Sequence, residues 1–396
     1  MLIFLIKRKK LTKKSTLIIT IIYLKEGQPM NTELSVEELI EPLQTVIGVV
    51  EKKQTLPILS HVLIQLKDNM LTLTTTDMEL EISASTKIKS DSETTFTIYA
   101  KDLIDIVRKL PEKTKIKFKI EENKVYLNAN KNTFELNTFN HLDFPALPKT
   151  ENAIVIKIKQ ETLRELIENT SFSMGNQDIR AYLNGLYFEL NTDSLTVVAT
   201  DGHRLSIGEV NQNNNLDEKK TVILPRKAVL ELTKLLNKSS QDVAEIHLSD
   251  NYFSLVDSNT KIISRLIDGN FPNYKQVMPT DFDNTVVINR EDFLSSLQQA
   301  SIFVDERTKG VKLVFRDDKL SIFSHSERGR AETQIEVSKQ EKELEIAFNI
   351  HYLISVLEKL PSQDVNMVIP GGENKSCLLN SIDDESYQYI IMPMKI

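Results

Sequence analysis

Asp201-Gly202-His203-Arg204 is the cluster in this chain whose residue types most invite catalysis. An imidazole beside a carboxylate is the raw material of a general base held in place by an acid. Two residues apart on a strand is poor geometry for a hydrogen-bonded pair, and no candidate nucleophile is fixed nearby. The run therefore reads first as a binding surface, then as a structural turn, and last as a catalytic pair. Gly371-Gly372-Glu373-Asn374-Lys375-Ser376 has the residue types of a phosphate loop without its spacing or its strand–helix frame. The sequence holds no nucleophile elbow, paired-histidine zinc helix or dinucleotide fingerprint. With six His and one Cys, a cysteine-rich zinc module is excluded, and Cys377 has no partner for an internal disulfide. The other histidines are scattered and read as ordinary polar or packed side chains. No catalytic residue, metal or cofactor is expected.

Charge points to binding instead. The 396 residues carry 49 Lys+Arg against 56 Asp+Glu, a formal charge of −7. At 40% hydrophobic and 27% charged, this is an ordinary globular composition, which excludes a disordered, collagenous or multi-span membrane protein. The length leaves room for roughly two to three domains. Residues 1–29 differ from the rest: seven Lys and Arg stand against Glu26 alone, so the segment is +6 and the remainder −13. Its apolar patches, Met1 to Ile6 and Leu17 to Leu24, are too short to span a bilayer. Leu24-Lys25-Glu26-Gly27 is a poor cleavage site. The segment reads as a disordered upstream extension from an over-long start, with a membrane tether as the alternative. In the acidic remainder, basic residues gather at Lys52 and Lys53, at Lys101, Arg108, Lys109 and Lys113, and at Arg226, Lys227, Lys234 and Lys238. Solvated helix faces are the plain reading. The sharper one is a shared surface for phosphate backbone, because equivalent helices of a repeat point the same way. Such a surface holds nucleic acid without sequence preference.

A weak internal repeat supplies those equivalent helices. Helix starts are predicted at Leu34 to Ile40, Ile158 to Arg164 and Ile288 to Leu294. Each is followed by a hairpin pattern: Val62 to Leu66 with Leu71 to Leu73, Leu186 to Leu190 with Leu195 to Val197, and Val311 to Phe315 with Leu320 to Ile322. A second set of helices starts at Ile98 to Ile104, Ile223 to Val229 and Ala347 to Leu353, each with strands after it, such as Lys115 to Ile120 and Val125 to Asn128. The body thus reads as three copies of an α+β unit, each with two helix-plus-sheet halves whose helices lay apolar stripes on antiparallel strands. In the first helix the stripe is Val36, Leu39, Ile40 and Leu43. Pro42 falls inside it and predicts a kink or a shifted start.

Five motifs carry a resemblance: Thr55 to Ser60, Asn184-Gly185, Ala199-Thr-Asp-Gly-His-Arg-Leu205, Asp268 to Tyr274, and the terminal Met392-Pro-Met-Lys-Ile396. In order and spacing they resemble the β sliding clamps, the β subunits of bacterial DNA polymerase III, from Met30 to Ile396. The resemblance implies three tandem clamp domains, 30–150, 151–274 and 275–396, with 1–29 outside the family. It implies helices lining a ring and antiparallel sheets outside, closed by a head-to-tail homodimer. Such a ring catalyses nothing. It encircles duplex DNA without reading sequence and tethers the replicative polymerase. Its other partners are the clamp loader and further polymerases and repair proteins that carry clamp-binding peptides. The implied location is cytoplasmic and nucleoid-associated, with no membrane partner.

Carried over motif by motif, the resemblance places a partner-peptide groove between the second and third domains. Its residues are Leu183, Thr200, Gly202, His203, Arg204, Leu205, Pro272, Val277, Asn349, Tyr352, Ser376, Ile390, Met392, Pro393 and Met394. DNA contact would use Lys53, Gln177, Arg180, Tyr182, Arg226 and Lys227. Ala181 replaces an aromatic found in some members. The dimer would use Phe134 and Leu136 against Ile302 and Phe303. Where some relatives carry an acidic run, this chain reads Ser326-Glu-Arg-Gly-Arg-Ala-Glu332, so electrostatic pairing across that contact is expected to be weaker or differently arranged. The competing classes are a hydrolase built on Asp201 and His203, and a repeat-type nucleic-acid binder that forms no ring.

Overall fold

The computed structural model describes residues 30–51, 56–89, 93–121, 123–148, 153–214, 216–236, 242–280, 282, 284–338, 343–369 and 376–395. The chain divides into two compact units, Met1–Ala146 and Leu147–Ile396. The first holds one copy of the repeat. Its elements are β1 (Met30–Ser35), α1 (Val36–Val46), β2 (His61–Lys67), β3 (Met70–Thr76), β4 (Leu80–Lys87), β5 (Thr94–Tyr99), α2 (Ala100–Lys109), β6 (Lys115–Glu121), β7 (Lys124–Ala129) and β8 (Asn132–Asn137). They form two antiparallel sheets, β1-β6-β7-β8 and β5-β2-β3-β4.

The second unit repeats this twice. The second copy is β9 (Ile154–Lys159), α3 (Gln160–Thr170), β10 (Gly185–Leu190), β11 (Ser194–Thr200), β12 (Arg204–Asn211), β13 (Lys220–Pro225), α4 (Arg226–Leu235), β14 (Val243–Leu248), β15 (Tyr252–Val256) and β16 (Thr260–Arg265). The third is β17 (Thr285–Asn289), α5 (Arg290–Ser301), β18 (Gly310–Arg316), β19 (Lys319–Ser326), β20 (Gly329–Glu336), β21 (Leu344–Asn349), α6 (Ile350–Leu357), β22 (Asp364–Val368), β23 (Cys377–Ser381) and β24 (Tyr387–Ile391). Here β12 pairs antiparallel with β24, which fuses two four-stranded sheets into one of eight, β13-β10-β11-β12-β24-β23-β22-β17.

Each of the helices α1 to α6 follows a strand directly, which the sequence reading missed. Leu34, Ile158 and Ile288 lie next to last in strands, and the helices begin at Val36, Gln160 and Arg290. Ile154-Val-Ile-Lys-Ile-Lys159 alternates with period two up to the helix, with no glycine or proline to mark the change. The start of α1 is fixed by a capping box. The Ser35 hydroxyl accepts from the Glu38 N–H at 3.2 Å, and the Glu38 carboxylate accepts from the Ser35 N–H at 2.7 Å. Pro42 does not end the helix. It sits inside α1, buried beside Leu39, Leu43 and Val46, so packing of its ring offsets the hydrogen bond it cannot donate. Ile40, counted in the stripe, is only half-buried.

The predicted hairpins are present. Between β2 and β3, Asp68 (φ 52°) and Asn69 (φ 59°) make the two-residue left-handed turn that suits the twist of paired strands. In the third copy, Phe293, Leu297 and Ala300 of α5 and Leu353 and Val356 of α6 join Leu313, Phe315, Leu320 and Ile322 in one buried cluster. Each such large side chain contributes roughly 1.5–3 kcal/mol by leaving water. No helix among the described residues is long and apolar enough to cross a membrane.

Candidate functional site

The Thr200–Arg204 turn joins β11 to β12 and is built by its own side chains. The Asp201 carboxylate accepts from the N–H groups of His203 (2.9 Å) and Arg204 (3.0 Å) and from Arg204 Nε (3.0 Å). The Thr200 hydroxyl accepts from the Gly202 N–H at 3.0 Å and donates to the Arg204 carbonyl at 2.6 Å. Gly202 has φ 88°, a conformation that favours glycine. The carboxylate that a hydrolase would need to orient His203 is thus spent on the turn and on Arg204. His203 itself is exposed.

Arg204 carries the turn into the third repeat. Its guanidinium donates to the Ser355 hydroxyl (3.0 Å) and to the Phe172 carbonyl (2.6 Å), and lies 4.5 Å from the centre of the Tyr352 ring. Burial raises the phenol pKa of Tyr352. Ser355, Phe172 and the stacking on Tyr352 escaped sequence reasoning, because they lie far from Arg204 along the chain. The chain terminus closes the other flank: the Met392 N–H donates to the His203 carbonyl (2.9 Å) and the Met394 N–H to the Ala347 carbonyl (2.8 Å). Met392, Pro393 and Met394 are half-buried.

Between these rims lies an apolar floor. Leu205 and Ile390, paired across β12 and β24, join Val198, Ile207, Tyr274, Val368 and Leu378 in one buried cluster, with Val277 and Met278 packed on it. The Ser376 hydroxyl donates to the Val277 carbonyl and holds that segment down. The Asn349 side chain caps α6 by accepting from the His351 N–H at 3.0 Å. Leu183 ends a short turn, Ala181–Leu183, and is buried, while Pro272 is exposed. A cavity of about 670 Å³ adjoins the floor, lined by Ile207, Glu209, Tyr274, Met278, Glu385 and Gln388. Tyr274 and Met278 were not among the sequence candidates. A second cavity, of about 1070 Å³, lies in the first unit. It holds none of the groove candidates, and its Glu33 is paired with Lys115 and Lys117.

The remaining candidates are dispersed. Lys53 lies outside the described residues, as do Lys52, Lys238 and Gly371 to Lys375. Gln177 and Arg180 are exposed, and the Arg180 guanidinium, 2.9 Å from Asp178, holds that carboxyl down at about 2. Tyr182 is half-buried on the same loop. Arg226 and Lys227, first in α4, are half-buried, and Arg226 donates to the Met174 carbonyl at 3.3 Å. Phe134 and Leu136 are half-buried on β8, an edge strand of its sheet in the first unit. Ile302 is 61% exposed just after α5, and the Phe303 ring lies against Gly329. Among the described residues no group of three or more His, Cys, Asp or Glu is placed to hold a metal ion.

Three family models match the chain: the N-terminal, central and C-terminal domains of the DNA polymerase III beta subunit, over residues 30–148, 157–273 and 275–395. The chain is 38% identical to the beta sliding clamp of Haemophilus influenzae over 369 residues, 93% of this chain and 100% of that one. To the Escherichia coli beta sliding clamp it is 33% identical, covering 91% and 98%. Among solved structures it resembles the DNA polymerase III subunit beta of Pseudomonas aeruginosa (TM-score 0.89, 33% identity, 93% and 100% covered). It also resembles the Bartonella birtlesii sliding clamp bound to griselimycin (TM-score 0.88, 30% identity, 93% and 100% covered).

Proposed function

The chain belongs to the DNA polymerase III beta subunit family, the beta sliding clamps, and on that premise we propose that the groove rimmed by Thr200–Arg204 and Met392–Met394 receives a short linear peptide from its partners. A sliding clamp is a processivity factor, not an enzyme: it holds a DNA polymerase on duplex DNA. Residence on DNA comes from topology and effective concentration rather than from tight DNA contact.

The observation that carries the groove is the convergence of three distant segments on one apolar floor, Leu205, Val277 and Ile390. The floor takes apolar side chains, the two methionines adapt to varied ligands, and the main-chain rims orient the peptide. The replicative polymerase, the clamp loader, and other polymerases and repair proteins use this groove in turn. Affinity is modest for each, near micromolar, about −8 kcal/mol. Two chains close head to tail into a ring of six similar domains around DNA, with Phe134 and Leu136 of one copy on Ile302 and Phe303 of the next. Duplex DNA is met mainly by Gln177, Arg180 and Tyr182 on their loop and by Lys53. Arg226 and Lys227 contribute charge more than direct contact, since Arg226 is tied to Met174. The working location is the cytoplasm, at the nucleoid.

Deleting Met392 to Ile396 tests the groove. Peptide titration by calorimetry or anisotropy should show affinity lost by at least about tenfold, with the dimer and fold intact. Unchanged affinity would place the groove elsewhere.

A further inference from the structure

We infer that the first repeat carries a second peptide site, separate from the groove: the free edge of β1, beside a wall of lysines, takes an acidic extended segment of a partner protein as an added strand. The inference stands apart from the groove reading above and does not depend on it.

The same seam differs among the three copies of the repeat. In each, the strand before the first helix (β1, β9, β17) is an edge of its sheet. The helices begin at Val36, Gln160 and Arg290, so Glu33, Lys157 and Val287 are equivalent. Leu71 faces Thr86, Leu195 faces Val210 and Leu320 faces Ile335. Just beyond, Ile88, Gln212 and Val337 are therefore equivalent, as are Lys89, Asn213 and Ser338. In the third copy the seam is closed. The Ser338 N–H donates to the Val287 carbonyl at 3.0 Å, the Val287 N–H donates to the Ser338 hydroxyl at 2.8 Å, and Ile288 bridges Val337. In the second copy the Gln212 side chain donates to the Lys157 carbonyl at 2.8 Å. In the first copy the seam is open. The Val36 N–H donates to the Thr114 carbonyl, so by alternation along the ladder the main chain of Leu34 faces β6 and that of Glu33 faces away. Among the described residues the Glu33 N–H and carbonyl have no hydrogen-bond partner. Glu33 and Lys89 instead line the cavity of about 1070 Å³.

Departures from the repeat gather at this opening. Thr32 stands where the other copies have Ile156 and Val286. It lines the cavity, buried, with its hydroxyl unpartnered. Lys87 and Lys89 stand where the second copy has Asn211 and Asn213 and the third has Glu336 and Ser338. Lys115, Lys117 and Lys119 replace Val243, Glu245 and His247 of the second copy, and Asp364, Asn366 and Val368 of the third.

Charge and main chain together define the occupant. Five lysines against two glutamates line the cavity, in a chain of net charge −7, so the site draws negative charge. Glu33 is already held by Lys115 at 2.8 Å and Lys117 at 3.6 Å, and Glu38 by the capping box. Lys87 and Lys89 have no ion pair among the described residues and are left to meet a ligand. A fully ionised small anion satisfies lysines but has no donor for the Glu33 carbonyl. An extended peptide brings both an N–H and a carbonyl to the edge, which is strand addition. Its side chains alternate between two faces. Acidic ones suit the exposed Lys87 and Lys89, and uncharged ones suit the buried Thr32 and Ile88. Residues 1–29, at +6, carry the wrong charge to fill the site.

A fluorescent peptide of alternating glutamate and valine, titrated by anisotropy against the full chain, tests this. It should bind saturably, and amide exchange at Glu33 should slow in the complex. Lys87→Glu with Lys89→Glu, both on exposed positions, should weaken binding by at least about tenfold. Deleting Met392 to Ile396 should leave this affinity unchanged, which separates the site from the groove. Methylating alternate amide nitrogens of the peptide on its β1-facing edge should abolish binding, because those N–H groups are the donors to the strand edge. Absence of saturable binding, or affinity indifferent to the two lysines, overturns the site. Equal binding of the methylated peptide means attraction by charge alone and overturns strand addition. Equally effective displacement by inorganic phosphate or by duplex DNA marks a general anion site and overturns the peptide. Loss of binding in the terminal deletion places the probe in the groove and overturns a second site.

Discussion

Arg204 ties the groove together at the residue scale. One guanidinium meets Asp201, Ser355, the Phe172 carbonyl and the Tyr352 ring, and its side chain is 16% exposed. Arg204→Ala should cost about 2–3 kcal/mol, because it leaves the half-buried Asp201 carboxylate without its cation and frees the turn from α6. Arg204→Lys should recover little, since a point charge cannot replace the planar fork. Urea unfolding read together with peptide titration checks both, and an unmoved midpoint in the alanine variant speaks against this role. His61 gives a second residue-scale prediction. It is buried between the Tyr99 and Phe139 rings with Nδ1 unpartnered, and burial lowers its pKa to about 4. The unfolded chain takes up that proton near pH 6.5 and the folded one only near 4. The stability contribution is thus full above about pH 6.5 and drains away as pH falls toward 4, by up to roughly 3 kcal/mol. Urea midpoints between pH 7 and pH 4 should fall in the wild type and fall less in His61→Phe. Parallel profiles would contradict it.

At the scale of elements, two strand edges lack a partner strand in their own sheets. β8 and β20 present alternating apolar and polar residues with no partner strand beyond them in their own sheets, the kind of edge that pairs or is deliberately blunted. Ile302→Ala with Phe303→Ala should remove about 1–3 kcal/mol per side chain from each junction and give a folded monomer in sedimentation. A persistent dimer would contradict the contact. The elements also show what the sequence makes legible. Hairpins such as Leu195 to Val197 after Leu186 to Leu190 stand out because polar turns punctuate period-two runs. The strands leading into the helices stand out less, because Ile158 passes through Lys159 into its helix without a turn residue, and after Ile288 only the N-cap Asn289 marks the change. The segments that rim the apolar floor, Thr200 to Leu205 and Met392 to Met394, stand out in the sequence as local motifs. The hold of Arg204 on Ser355 and the β12–β24 ladder were not, since both join residues more than 150 positions apart.

At the scale of the whole molecule, the body carries −13, so affinity for DNA itself should be weak and salt-sensitive. A clamp works by closure: once linked around a circle, it leaves only through an end or an opening. Retention on DNA after the circle is cut is the most direct test. The protein is loaded on nicked circular duplex with a bacterial clamp loader, washed at high salt, and followed through gel filtration before and after a single restriction cut. The protein should stay with the intact circle despite the salt and leave the linear product. Equal retention on circle and linear DNA at high salt would contradict the topological tether and favour a plain nucleic-acid binder.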